Sequence, residues 1–155
     1  MDEQMDIKKL CEKALFRYDE KSKFLLSDSL SFNENMLSGK FICYQPYLKS
    51  GEKSAAMNNT DFMTLSNQAC YLIIYCYFIE QLDYTLEEVV DLHGNIAVYK
   101  QSFFFKDTVA LDGDNKFQAT IYGVKKRSLN VSVEVNDGDY TTDIKLVLLK
   151  KNIHF

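Results

Sequence analysis

The chain has 155 residues, a length typical of one domain, and a core of that size can fold without metals or disulfides. Its 18 lysines and arginines are scattered and are outnumbered by 22 aspartates and glutamates, so the net charge of −4 argues against nucleic acid as a partner. The longest apolar run, residues 69–79, is far shorter than the roughly 20 residues of a membrane span. We therefore expect a soluble, cytoplasmic protein with no membrane partner.

The four cysteines do not form a metal or redox motif. They show no C-x-x-C spacing, and only two histidines could join them as soft ligands. We therefore expect no metal and no cofactor, and four reduced, mostly buried thiols: Cys11, Cys43, Cys70 and Cys76.

The N-terminal third of the chain predicts one short helix and two strands. Apolar residues recur at helical spacing over residues 5–16, which predicts an amphipathic helix. Residues 24–32 and 36–44 are rich in Leu, Phe, Ile and Tyr and flank a polar turn at residues 33–35, so we expect two strands joined by a tight turn. The polar residues 45–57, which include the only proline, then form a loop.

The middle of the chain predicts a long helix over residues 59–81. Asn58 or Asn59 can accept hydrogen bonds from the first free N–H groups, and Asp61 suits the positive end of the helix dipole. The second half of this segment is apolar on every side. Such a helix must be covered by other elements on most of its surface.

The C-terminal half predicts a short helix and an antiparallel sheet. Residues 85–92 begin with a threonine cap and an acidic first turn, as helices do. The hydrophobic period then changes to two, which predicts four strands separated by polar turns: residues 96–105, 116–124, 129–135 and 140–149. The pattern alone indicates a single α+β domain, residues 1–155, with a long helix packed against one sheet.

Polar residues recur on one side of the predicted central helix. Steps of three, four and seven residues return to the same side, so six of them fall within about 120° of one another. These are Thr60, Asp61, Thr64, Asn67, Gln68 and Tyr71. Burying an unpaired amide or carboxylate costs about 1–3 kcal/mol, so these groups need either a capping role or a ligand.

Residues 56–61 and 66–71 resemble the signature of the FcoT-type fatty acyl-CoA thioesterases, a family with the hot-dog fold. That signature reads His-Phe-Asn-x-x-Glu, five residues, then Asn-Gln-x-x-Tyr, and its spacing is the same here. Residues 14–18, 39–47 and 116–119 also resemble family segments, so the similarity extends over nearly the whole chain. It implies one hot-dog domain, in which a curved antiparallel sheet wraps around a long central helix.

The resemblance also implies an acyl-thioester pocket. Four residues would line it: Tyr18, Tyr47, Asn58 and Asn67. Asn59 and Tyr71 are two further candidate substrate contacts beside them. We expect three catalytic roles: Asn67 holds the thioester carbonyl or a water, Tyr47 donates a hydrogen bond, and Asp61 is the only motif carboxylate able to act as a general base.

Each candidate also has an ordinary structural interpretation. Asn58 can be no more than a helix cap, and Asp61 can be no more than a partner of the helix dipole. Tyr18 and Tyr47 can be ordinary tyrosines, and His93 is expected in a loop. A mid-helix asparagine has poor helix propensity and no local backbone role, so the pattern favours function at Asn67.

Two reactions are known in the family that the chain resembles. Members hydrolyse long-chain acyl-CoA thioesters, or add glycine to a (2E)-enoyl thioester on an acyl carrier protein in isonitrile lipopeptide biosynthesis. Both reactions need a stabilised thioester oxyanion, so the sequence leaves hydrolysis and glycine addition open. The expected partners are therefore acyl-CoA or an acyl carrier protein thioester and, for the second reaction, glycine.

Two further expectations concern assembly and the acyl chain. Hot-dog domains usually pair edge to edge, so we expect a homo-oligomer. Six aromatic residues give enough surface for an acyl tunnel beside the helix, although most of them must belong to the core: Phe103, Phe104, Phe105, Tyr71, Tyr75 and Phe78. Ala56 stands where the family has its histidine, which keeps a noncatalytic acyl-binding or scaffold protein as the alternative.

Overall fold

The computed structural model describes residues 5–43, 56–111 and 114–155. The elements in these ranges are α1 (Ile7–Ala14), β1 (Ser31–Asn33), β2 (Met36–Lys40), α2 (Asn59–Leu82), α3 (Leu86–Leu92), β3 (Ile96–Phe105), β4 (Lys116–Lys125), β5 (Ser128–Val135) and β6 (Tyr140–Leu148).

The six strands form one antiparallel sheet in the order β1-β2-β4-β5-β6-β3. One face of the sheet covers the core, and alternate residues of β5 are fully buried on it: Leu129, Val131, Val133 and Val135. Register shifts interrupt the β3–β6 pairing after Val98 and the β4–β5 pairing after Ile121. Irregularities of this kind bend strands and increase their twist, which lets the sheet curve around a helix.

Helix α2 is the central element of the core. A capping box starts it: the Asn58 side chain accepts from the Asp61 N–H at 2.8 Å, and the Asp61 carboxylate accepts from the Asn58 N–H at 3.1 Å. The helix continues for 24 residues until Asp83, whose φ of 56° is left-handed. By length and composition alone α2 could cross a membrane, yet 67% of its most apolar window is buried within the protein, as in the core helix of a soluble domain.

Most predicted elements are confirmed at nearly the expected bounds. Strands β3 to β6 and helices α2 and α3 start and end within one residue of the prediction, and Thr85 caps α3 as expected. The N-terminal helix is shorter than residues 5–16, because Asp6 caps it and Leu15 ends it. Cys11, Cys70 and Cys76 are buried, Cys43 is half-buried, and all four thiols are free.

The predicted strand over residues 24–32 is largely wrong. Only Ser31–Asn33 is a strand, and Ser27–Ser29 forms a short 3-10 turn. The Ser29 hydroxyl donates to the Leu26 carbonyl at 2.7 Å and accepts from the Lys40 N–H at 2.8 Å, so a side chain replaces backbone pairing at this point. Serine often competes with regular structure in this way. The end of the second predicted strand, at Tyr44, lies outside the described residues.

Candidate functional site

One side of α2 is not fully covered. Thr60 and Met63 are exposed, and Thr64, Asn67 and Tyr71 are half-buried, whereas residues 72–76 are buried. We call these five residues, Thr60, Met63, Thr64, Asn67 and Tyr71, the α2 stripe. The stripe differs from the predicted polar face, because Asp61 and Gln68 are buried at its borders.

Gln68 has a structural role that the sequence does not reveal. Its side-chain oxygen accepts from the Phe24 N–H at 2.9 Å, and its amide group donates to the Ser22 carbonyl at 2.5 Å. The side chain is fully buried and fastens the segment after α1 to the central helix. Gln68 therefore needs no ligand.

Asp61 is 5% exposed and is engaged at the start of α2 through the capping box. Cys43 and Tyr140 lie close to its carboxylate. Burial raises the pKa of both groups, and the negative charge of Asp61 raises each further. The Tyr140 hydroxyl donates to the Met57 carbonyl at 2.7 Å, which fastens the chain entering α2 to β6. The general-base role of Asp61 stays a prediction. The predicted cap at Asn58 is confirmed, and Asp61 completes it as the second member of the capping box.

Asn67 differs from the other buried polar groups of α2. Its side-chain oxygen Oδ1 is buried and has no hydrogen-bond partner within the three described ranges. Ser66, beside it, donates to the Phe62 carbonyl at 2.7 Å and accepts from the Gln101 amide at 3.3 Å. An unpaired buried acceptor lowers the free energy of unfolding by about 1–3 kcal/mol. We therefore expect a ligand or a water to donate a hydrogen bond to Asn67 Oδ1.

Tyr71 belongs to a cluster of aromatic side chains one turn beyond Asn67. Its ring stacks on the His93 ring with centroids 4.3 Å apart and planes 11° apart. The Tyr75 hydroxyl lies 2.9 Å from His93 Nδ1. Tyr18 is half-buried near Tyr71, and burial raises the pKa of both phenols, with Tyr71 adding to the rise at Tyr18.

The expectation that His93 is a loop histidine is wrong. The ring is 5% exposed, because it follows α3 directly and packs against α2. Burial lowers its pKa, and the Arg17 guanidinium lowers it further. The sequence contained a weak signal for this contact, since two tyrosines one helical turn apart, Tyr71 and Tyr75, present neighbouring rings to whatever packs on that side of α2.

The predicted acyl tunnel needs correction. Tyr75 and Phe78 are fully buried and belong to the core. Phe104 is 59% exposed and lies on the opposite face of β3 from Phe103 and Phe105, since strand residues alternate. Beside the α2 stripe the aromatic surface therefore consists of Tyr71 and a second group, which we call the aromatic wall.

The aromatic wall comprises Phe62, Phe103, Phe105 and Tyr140. Phe62 makes edge contacts with the other three rings at centroid distances of 5.8, 6.1 and 5.3 Å. Phe103 is half-buried and Phe105 is 45% exposed, so apolar surface remains accessible next to the first turns of α2. An alkyl chain could cover this surface.

The remaining predicted site residues lie at the start of α2 or beyond the described ranges. Asn58 and Asn59 are exposed, and Asn58 uses its oxygen in the capping box. Their substrate contacts stay predictions. Tyr47 lies outside the described residues, so its hydrogen bond to the substrate stays a prediction.

No protein-family model and no curated protein matches this sequence. Solved structures do match. An HP0420 homologue from Helicobacter felis aligns with a TM-score of 0.58 at 12% identity, over 89% of this chain and 88% of its own. A Thermus thermophilus thioesterase, solved with coenzyme A and zinc, aligns at 0.51 and 18% identity, over 76% and 81% of the two chains.

A Staphylococcus aureus protein, SAV2348, was solved in complex with CoA and aligns at 0.52 and 10% identity, over 81% of this chain and 78% of its own. At such identities the likeness establishes the fold. The chain therefore has the hot-dog fold, as the sequence predicts, and it shares this fold with the Thermus thermophilus thioesterase.

Proposed function

We propose that this protein is a hot-dog enzyme that processes acyl thioesters. One observation carries the proposal: Asn67 Oδ1 is a buried acceptor without a donor among the described residues, and it lies within the incompletely covered α2 stripe. Two of the neighbours with this fold were solved with coenzyme A. A thioester bound along the α2 stripe would bring a donor to Asn67 and an alkyl chain to the aromatic wall.

Chemistry assigns different roles to the two ends of the stripe. Asn67 Oδ1 can only accept a hydrogen bond, so it suits the attacking water rather than the developing oxyanion. At the start of α2, the first N–H groups of the helix point out of its end, and the helix dipole adds positive potential there. A thioester oxygen that becomes anionic is stabilised by such groups.

Hydrolysis is the reaction that we favour, with long-chain acyl-CoA or acyl carrier protein thioesters as substrates. The specific observation is again Asn67, because an acceptor within hydrogen-bond reach of a water orients it for attack. Glycine addition to a (2E)-enoyl thioester is the second candidate, since the same oxygen would accept from the amine of glycine. Asp61 is the carboxylate proposed as general base for either nucleophile.

The test compares products rather than rates. The protein is incubated with acyl-CoA, enoyl-CoA and enoyl carrier protein, each with and without glycine, and product masses are measured. Hydrolysis releases free thiol and the fatty acid, and glycine addition gives a product heavier by one glycine. If every thioester is bound and returned unchanged, the protein is the noncatalytic acyl-binding alternative, in keeping with Ala56 in place of a histidine.

We also propose that the protein forms a cytoplasmic homo-oligomer. Strand β3 is at one edge of the sheet and pairs only with β6 among the described strands. Tyr99, Phe104 and Phe105 on this strand are 70%, 59% and 45% exposed. An uncovered edge with large apolar residues favours pairing with another chain, and a second copy is the occupant that we expect.

A further inference from the structure

His93 connects three elements around one residue of the α2 stripe. Its ring stacks on Tyr71, lies 2.9 Å from the Tyr75 hydroxyl through Nδ1, and meets the edge of Phe16 at a centroid distance of 5.7 Å. Tyr75 and His93 are both buried, so core packing restricts the movement of the His93 ring. Among the described residues the stack on His93 is the one ring contact made by Tyr71.

Tyr71 and Asn67 are four residues apart, so they are neighbours on the same side of α2. The hydrogen bond between the Tyr75 hydroxyl and Nδ1 sets the rotation of the His93 imidazole. The stack on this imidazole in turn sets the plane of the Tyr71 ring. The Tyr71 ring, one helical turn from Asn67, therefore has its orientation determined by a side chain from outside α2.

We propose that His93 is a positioning residue, whose imidazole holds the Tyr71 ring against the nucleophile site at Asn67. This inference rests on the proposed function and adds to it a residue outside the predicted motif. His93 acts through Tyr71 and does not itself contact the reacting atoms.

The charges around His93 determine which form of the ring can perform this role. Arg17 faces it from the turn after α1, Tyr71 and Tyr75 face it from α2, and Asp91 near the end of α3, the acidic residue nearest in sequence, is exposed. Burial and Arg17 both lower the pKa of His93, so the neutral ring is present at pH 7 and its Nδ1 can accept a hydrogen bond from the Tyr75 hydroxyl. Protonation would place a second positive charge beside Arg17.

The acid side of the pH profile should report this titration. The ordinary pKa of histidine is about 6.5, and that of His93 is lowered. We therefore expect the fall in kcat/KM at a pH below about 6.5. Arg17→Ala removes a charge that lowers the pKa of His93, so the fall should move to higher pH. His93→Phe keeps an aromatic ring against Tyr71 but cannot titrate, so the part of the acid fall that follows histidine protonation should be absent, and only a fall from protonation of the proposed base Asp61 should remain. We expect its kcat/KM at pH 8 to be reduced about tenfold by the lost orientation.

A binding experiment tests the positioning role without turnover. The chain has two histidines, so their ring protons can be followed separately by NMR, and the exposed His154 is the internal control. A nonhydrolysable long-chain acyl-CoA thioether should shift the His93 signal and leave His154 unchanged. His154→Gln assigns the two signals.

The outcomes separate this inference from the proposed function. A thioether that binds and leaves the His93 signal in place overturns the positioning role, while acyl-thioester binding stands. A thioether that does not bind overturns both. If His93→Phe is destabilised but keeps wild-type turnover per folded molecule and the wild-type pH profile, His93 is a packing residue only.

Discussion

At the scale of single residues, the polar groups of α2 divide by whether the fold supplies them with partners. Asp61 and Gln68 have structural partners, Gln68 in a segment that is 44 positions away in sequence. Asn67 Oδ1 has none in the described part of the chain. Asn67 and Gln68 are adjacent on the predicted polar face of α2. We therefore expect opposite effects on activity and stability when each is replaced by alanine.

Asn67→Ala should lower kcat/KM by about 100-fold or more, in line with the loss of one group that is poised for the reaction. The thermal midpoint should stay the same or rise, because an unpaired buried amide is removed and alanine favours helix. Single-turnover rate and melting temperature are measured on one preparation. A variant that is destabilised yet fully active would falsify the assignment of Asn67.

Gln68→Ala is the matched control, with the opposite expectation. Its loss leaves the Phe24 N–H and the Ser22 carbonyl without their partner, so unfolding free energy should fall by about 1–3 kcal/mol. Turnover per folded molecule should remain that of the wild type. Chemical denaturation and an active-site-normalised rate check both parts, and a large loss of turnover at full stability would place Gln68 in the site instead.

At the scale of elements, the sequence was informative where local signals and tertiary packing agree. Asn58 and Asp61 have the spacing of a capping box, and the apolar residues after Gln68 require cover, so α2 could be predicted to within one residue. The strand predicted over residues 24–32 failed because the Ser29 side chain bonds to Lys40, a contact that no local pattern contains. The burial of His93 was missed for the same reason, since its partners lie in the turn after α1 and in α2.

The predicted lining of the acyl tunnel is too large, and the alternation of side chains along β3 explains part of the difference. Three consecutive phenylalanines on one strand cannot face one pocket, and Phe104 lies on the outer face of the sheet. Tyr75 and Phe78 belong to the core, in keeping with the expectation that most of the six aromatic residues are core, because a helix that is covered on most sides needs them there. What remains is the aromatic wall beside the start of α2.

The aromatic wall predicts a dependence of affinity on acyl chain length. Each methylene that it covers contributes about 0.8 kcal/mol, or about fourfold in affinity, so acyl-CoA thioethers should bind more tightly as the chain lengthens until the wall is covered. Phe103→Ala should weaken the longest thioether more than a short one, because only the longer chain reaches that ring. Calorimetric titration of a chain-length series gives the slope, and equal affinity for short and long chains would contradict an acyl role for the wall.

At the scale of the whole molecule, the sheet has two unequal edges. Strand β1 has three residues, whereas β3 has ten and presents exposed apolar side chains. Natural sheets usually protect such an edge with charge, a bulge or a covering element, and β3 carries one register shift next to Tyr99. The proposed second copy would cover the edge and lie near the aromatic wall, since Phe103 and Phe105 are on this same strand.

The assembly prediction can be tested by changing the edge and an interior strand in the same way. We expect the wild type to sediment as a dimer or larger at micromolar concentration. Val98→Lys with Tyr99→Lys should give monomer, because lysine on an edge strand opposes pairing, and both side chains are exposed. Tyr122→Lys is the control: its side chain is 57% exposed as well, but β4 lies between β2 and β5, so that variant should remain assembled. A wild type that sediments only as monomer would refute the assembly, and an assembled edge variant would place the interface on another surface of the sheet.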